Sequence, residues 1–186
     1  MNLMTANLLP INSWFSWASF YKLIGYCNLT LSKGPDVLAR DNGFTESDWL
    51  PIRAELIGMR ALAYFYLVRA FRDVPFNITA NDTSVGATDP VPQTSSEAIL
   101  TFLINDLEAV KDLGMTNYGN DADNHGRFTK NALYTLLADI YMWRAAKNAS
   151  SDSVAVYGEQ SKNDYQKCVE CCNYVIAAMN SKMNEE

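Results

Sequence analysis

Between Ala61 and Val68 the chain reads AlaLeuAlaTyrPheTyrLeuVal, more than two helical turns without a charge. A helix that is apolar all round has to be covered on most of its sides. The run therefore predicts a central helix, from Leu50 or Pro51 to Phe71, with other elements packed on several of its faces. Pro75 ends what Asp73 and Val74 begin to unwind, because proline lacks an amide hydrogen and disfavours helix in the residue before it.

The remainder of the chain must supply the covering elements. Apolar spacing near 3.6 predicts four more helices and no strand. The first spans residues 13–31, capped by Ser13 and stopped at Gly34-Pro35. Its stripe is Trp17, Tyr21, Ile24, Asn28 and Leu31, with Asn28 as a polar interruption. The third begins with a capping box of Thr94 and Glu97, buries Ile99, Leu103, Leu107 and Val110, and ends before Gly114. A fourth over 129–146 buries Leu133, Leu137, Ile140 and Tyr141. A fifth over 163–180 buries Tyr165, Cys168, Val169, Cys172, Ile176 and Met179. The polar stretches 77–94 and 115–128 read as loops. The expected fold is all-α, paired antiparallel helices resembling tetratricopeptide pairs; no clean 34-residue repeat is legible, so the layout is an analogy of structure.

Composition narrows the function. A net charge of −6 without a basic stripe argues against nucleic acid, whose phosphates need Lys and Arg to neutralise them. No stretch approaches the roughly 20 apolar residues needed to cross a bilayer, and MetAsnLeuMetThrAlaAsn at the amino terminus has neither the basic start nor the long apolar run of a secretory signal.

Catalytic and metal-binding groups are few. His125 is the one histidine, in an Asx-rich stretch that reads as a solvated turn, so no nucleophile-base pair is expected. Asp121, Asp123 and Gly126 match three places of a calcium loop, but His125 and Ala132 stand where an oxygen ligand and a bidentate Glu belong, and an ordinary turn is preferred. Cys168, Cys171 and Cys172 offer three thiols, yet Cys168 and Cys172 fall on the apolar stripe, where free cysteine packs as a small hydrophobe; Cys27 stands alone. No cofactor and no metal are expected. Flat rings beside amides suit sugar recognition, and Trp14 and Trp49, at helix entrances near Asn12 and Asp48, are the candidate ligand contacts; Trp17 and Trp143 read as core.

The segment GluLeuIleGlyMetArgAlaLeuAlaTyrPheTyrLeuValArgAlaPheArgAspValProPhe, residues 55–76, resembles the hallmark of the SusD/RagB family. The resemblance rests there on Glu55, Arg60, Ala61, Tyr64, Phe65, Arg69, Asp73 and Pro75, with Arg72 where the family usually has Gly. Trp17, Tyr21 and Asn28 resemble its first helical motif, Val91-Pro92 through Asp106-Leu107 its proline-led helix, and Gly126, Arg127, Thr129 and Lys130 its Gly-Arg-x-Thr-Lys helix. The resemblance implies a single SusD-like helical domain over 1–186, an internal or truncated portion of a longer protein. It implies a non-catalytic nutrient-binding lipoprotein on the cell surface that captures oligosaccharide for a SusC-like TonB-dependent outer-membrane transporter. It also implies that the lipoprotein signal, the anchoring cysteine and the long carboxy-terminal region are missing from this sequence. The competing expectation is a helical-repeat adaptor that binds only protein partners.

Overall fold

A computed structural model of the chain describes residues 16–80, 91–149 and 154–183. Their order is α1 (Ala18–Arg40), α2 (Glu46–Phe71), β1 (Val74–Pro75), β2 (Gln93–Thr94), α3 (Ser96–Glu108), α4 (Asp121–Gly126), α5 (Lys130–Ala149) and α6 (Val154–Met183). The fold is all-α, apart from one two-residue antiparallel pair in which Val74 faces Thr94 and Pro75 faces Gln93.

α1 and α2 run antiparallel: Phe20 meets Tyr66, Asn28 meets Arg60, and Gly34 meets Trp49. α3 and α5 do the same, with Thr101 against Arg144 and Glu108 against Tyr141. α5 and α6 form the most extensive pairing, Asn131 near Met179 and Arg144 on Asp164. Antiparallel neighbours stacked side by side are the expected tetratricopeptide-like layout.

α2 is the hub. Tyr64, Phe65 and Leu67 are at most 1 % exposed, and α1, α3 and α5 all pack on this helix. The other core residues come chiefly from α3 (Ile99, Leu103, Leu107) and α5 (Leu133, Leu137, Ile140), buried as the spacing predicts, with Leu100 of α3 buried beside them. α2 starts a turn earlier than its apolar run, because Thr45 and Asp48 close a capping box that holds the free amides of the first turn.

The structure corrects several expectations. Gly34-Pro35 lies inside α1 and does not stop it. The reason is packing: the Trp49 ring lies so close to Gly34 that any Cβ there would overlap it, and Pro35 leaves only one carbonyl of the preceding turn without its helical partner. The cap of α3 is Ser95, whose hydroxyl accepts from the Ala98 amide, while Thr94 joins the β pair and Glu97 faces Lys147 and Asn148. α3 ends at Glu108, before a turn that carries the buried Val110. The stretch 115–128 contains the short helix α4. The cap assigned to Ser13 falls outside the described residues.

The largest correction concerns α6. Its buried positions are Ser161, Asp164 and Cys171, with Tyr174 half-buried and stacked on Tyr134 at 3.8 Å. The stripe expected in the core faces outward instead: Tyr165, Val169, Ile176, Met179 and Cys172 are exposed, and Cys168 is half-buried. A salt bridge selects the face. The Arg144 guanidinium, buried in α5, holds both oxygens of the Asp164 carboxylate at 2.7 and 2.8 Å, and this turns the neighbouring apolar stripe away. The covering of α5 is therefore set by a charge pair.

Candidate functional site

Most of the residues that carry the sequence resemblance act as internal fasteners. Asn28, 3 % exposed in α1, accepts from Arg60 of α2 at 2.9 Å and donates to the Asn77 and Thr79 carbonyls at 3.0 and 3.3 Å. Arg60 reaches on to Asp106 of α3 at 2.5 Å. The Tyr64 hydroxyl donates to the Asn77 carbonyl and accepts from its amide, and the Tyr21 hydroxyl donates to the Pro75 carbonyl at 2.7 Å. Burial, with the neighbouring Tyr64 adding to it, pushes the Tyr21 phenol up to about 12, so both phenols stay protonated donors at neutral pH. These bonds tie the chain leaving α2 to α1 and α3. Buried polar groups are stable only when partnered, and here the partners come from three elements.

The same holds at the other motif positions. The Asp73 carboxylate accepts from the Ser96 amide at 2.8 Å, which caps α3 and holds that carboxyl below the usual range. Arg127 forms a bidentate pair with Glu55 at 2.7 and 3.1 Å and stacks over the Tyr118 ring. Lys130 binds Asp112 at 2.8 Å and lies over Tyr174. Ala61 and Phe65 are core, and Gly126 closes α4. Trp17, 39 % exposed between Tyr21 and Phe71, stands at the surface, as do Arg69, Gly126 and Arg127.

Asn12 and Trp14 lie outside the described residues. Trp49 is 7 % exposed, and its ring packs between α1 and α2 at the floor of a shallow cavity also lined by Leu31, Pro35 and Arg53. Trp143, expected in the core, is 36 % exposed. Its ring carries the Arg69 guanidinium at 4.9 Å and meets Phe65 edge-on. The sequence signal that placed Trp143 inside was its helical spacing, which does not say which neighbour covers a given turn.

That tryptophan lines a cleft that carries three cations. About 650 Å³ of space lies between the end of α2, the start of α3 and α5, bounded by Val68, Arg69, Arg72, Ser96, Trp143 and Lys147. A second cleft, of about 840 Å³, runs along the outer side of α6 past Tyr165, Val169 and Lys162.

His125, Asp121, Asp123 and the cysteines line neither of these clefts. His125 is exposed at the end of α4, its ring nitrogen 2.7 Å from the Asp121 carbonyl. Asp121 and Asp123 belong to the first turn of that helix, where Asn120 caps the Asp123 amide, so they do not form a calcium loop. Burial pushes the Cys171 thiol up to about 11 and raises Cys27 and Cys168. Such thiols are poor nucleophiles and poor ligands. Among the described residues no group of three or more His, Cys, Asp or Glu side chains is placed to hold a metal, and no helix is long and apolar enough to cross a membrane.

Stacked antiparallel helices around a buried hub, fastened by polar side chains, define a scaffold of the tetratricopeptide-like class. Residues 7–142 match the model of the SusD-like family described as "Starch-binding associating with outer membrane", and the chain belongs to that family. The SusD-like protein P38 of Formosa agariphila is 26 % identical over 164 residues, covering 83 % of this chain and 29 % of that protein. A laminarin-binding SusD-like protein of known structure is 30 % identical, with a TM-score of 0.59 over 72 % of this chain and 27 % of its own. A SusD superfamily protein from Parabacteroides distasonis, 24 % identical, shares the fold with a TM-score of 0.72, over 95 % of this chain and 34 % of that one. The chain thus spans about a third or less of each relative.

Proposed function

We propose that the chain is the helical scaffold portion of a cell-surface protein that captures a nutrient glycan without breaking it. In this reading the whole protein is an outer-membrane lipoprotein that passes oligosaccharide to a SusC-like TonB-dependent transporter. Membership in the SusD-like family carries the proposal, and the laminarin-binding relative makes a β-glucan the first ligand to try. The surface fits the task. Trp17, Tyr26, Tyr66, Trp143 and Tyr165 are all at least 36 % exposed, and exposed rings can stack on sugar faces. Trp14, with Asn12 beside it, remains the proposed contact at the amino-terminal helix entrance, and Trp49, in the lining of its cavity, is the second choice.

Calorimetry of the parent-length protein against a panel of neutral and acidic oligosaccharides is the test. Micromolar to millimolar binding of one class, weakened by Trp14→Ala, is the expected result; silence across the panel would remove the reading. Co-purification with the transporter, with the segments 77–94 and 115–128 shortened, tests the partner: full retention would show that these loops are not the docking face.

A second reading, an adaptor that binds protein partners only, has one observation in its favour. The outward stripe of α6 exposes Val169 and Ile176 at 57 % each and Met179 at 51 %, the kind of apolar patch that marks a protein contact. The same glycan panel separates the two readings.

A further inference from the structure

We infer that the cleft at the end of α2 is a site for an acidic saccharide, one bearing a carboxylate or sulfate on its ring. The inference rests on the glycan-capture reading and names a ligand class for it. Three cations line the cleft, Arg69, Arg72 and Lys147, with the half-exposed Trp143 as its aromatic wall and no carboxylate among the described lining residues. Two of these cations are already paired: Arg69 forms a long salt bridge with Asp139 at 3.7 Å, and Lys147 donates to the Ser96 hydroxyl at 2.7 Å and stands 3.7 Å from Glu97. Arg72 has no such pair among the described residues, and the neighbouring Asp73 carboxylate accepts from the Ser96 amide.

Arg72 is the feature that packing does not explain. It is the one residue besides glycine with a positive φ among those described, at φ 68° and ψ −95°. Glycine reaches positive φ freely, whereas a side chain there strains the backbone, and such strain concentrates at binding sites. Arg72 is exposed and hydrogen-bonds to no described residue through its side chain, so the fold gains no evident contact from the strain. What the strained turn does achieve is placement: a planar fork of donors lines a cleft that already holds the Arg69 guanidinium 4.9 Å from the centre of the Trp143 ring. A guanidinium fork matches the oxyanion of a uronate or a sulfate ester in two-point fashion, while Trp143 supplies apolar surface for the ring that bears it.

The test uses the 186-residue chain and the variants Arg72→Gly and Trp143→Ala, titrated by calorimetry with oligogalacturonate, a sulfated oligosaccharide and a neutral laminari-oligosaccharide. The expected result is binding of one of the acidic ligands, weakened at least tenfold in both variants and by added salt. Arg72→Gly should also raise the Tm as it relieves the turn, so affinity and stability move in opposite directions. The two acidic arms decide between carboxylate and sulfate. Acidic binding that survives both variants, or none at all, overturns the inference. Neutral binding in that case leaves the capture reading intact, and its absence removes that reading as well.

Discussion

Replacing Asp164 should loosen α6 more than any change on its apolar stripe. Asp164 is fully buried, Arg144 is 7 % exposed, and the pair is bidentate, with Thr101 accepting a third guanidinium bond at 3.0 Å. Asp164→Ala leaves the guanidinium buried with Thr101 as its remaining partner, and breaking a buried pair from one side costs about 3–5 kcal/mol. For a chain of this size that corresponds to a fall in Tm of about 6–20 °C, at about 2–4 °C per kcal/mol. Asp164→Asn keeps an acceptor but loses the charge, and should cost about 1.5–3 kcal/mol. The double change Arg144→Met with Asp164→Leu removes the desolvated charges together, and should come within about 1 kcal/mol of the parent or exceed it. Urea unfolding followed by far-ultraviolet circular dichroism gives all four corners of the cycle. A loss under about 1 kcal/mol in Asp164→Ala, or a double variant worse than both singles, would refute the claim that this pair sets the face of α6.

Three further outcomes are expected. Gly34→Ala gains up to about 1 kcal/mol of helix propensity, but its methyl overlaps the Trp49 ring, and overpacking of that kind costs about 1–3 kcal/mol, so a thermal melt should show a net loss. Maleimide at pH 7.5, mapped by mass spectrometry, should modify the exposed Cys172 well before the buried Cys27 and Cys171. Lys130 and Tyr134 hold Asp112 below its ordinary carboxylate range, so its contribution to stability is present above that range and lost as pH falls through the folded value. Asp112→Asn should therefore flatten the acid side of a Tm-against-pH curve.

The parts of the fold legible in the sequence are those where no choice of face had to be made. α2 has no charge between Ala61 and Val68, so burial on most sides followed whatever its neighbours were, and Tyr66 alone of that run is exposed. α3 offers one clean stripe, and Ile99, Leu103 and Leu107 occupy it as expected. α6 offers two faces, one apolar and one carrying Asp164, and periodicity favours the apolar one. The decision lies 20 residues away at Arg144, a pairing that spacing cannot reveal. Gly34 and Trp49 fail for a related reason. A Gly-Pro pair signals a stop when read locally, yet here the missing side chain makes room for a ring from the next helix.

The site was less legible than the fold because scaffold and recognition use different residues. Asn28, Arg60, Tyr64, Asp73 and Arg127 spend their polar groups on neighbouring elements, leaving little with which to meet a ligand. A pattern made of such residues identifies the family and is silent on the sugar. Ligand chemistry has to be written where the pattern breaks, and Arg72 is such a break. The residue stands in a backbone conformation suited to Gly, in the lining of a cleft that also holds Lys147 and Arg69, the latter over Trp143. A strained residue that fastens nothing persists only if something else selects it. The same reasoning separates Trp143 from Trp49: the ring sealed under Gly34 serves the fold, and the ring open beside two guanidinium groups is available to a ligand.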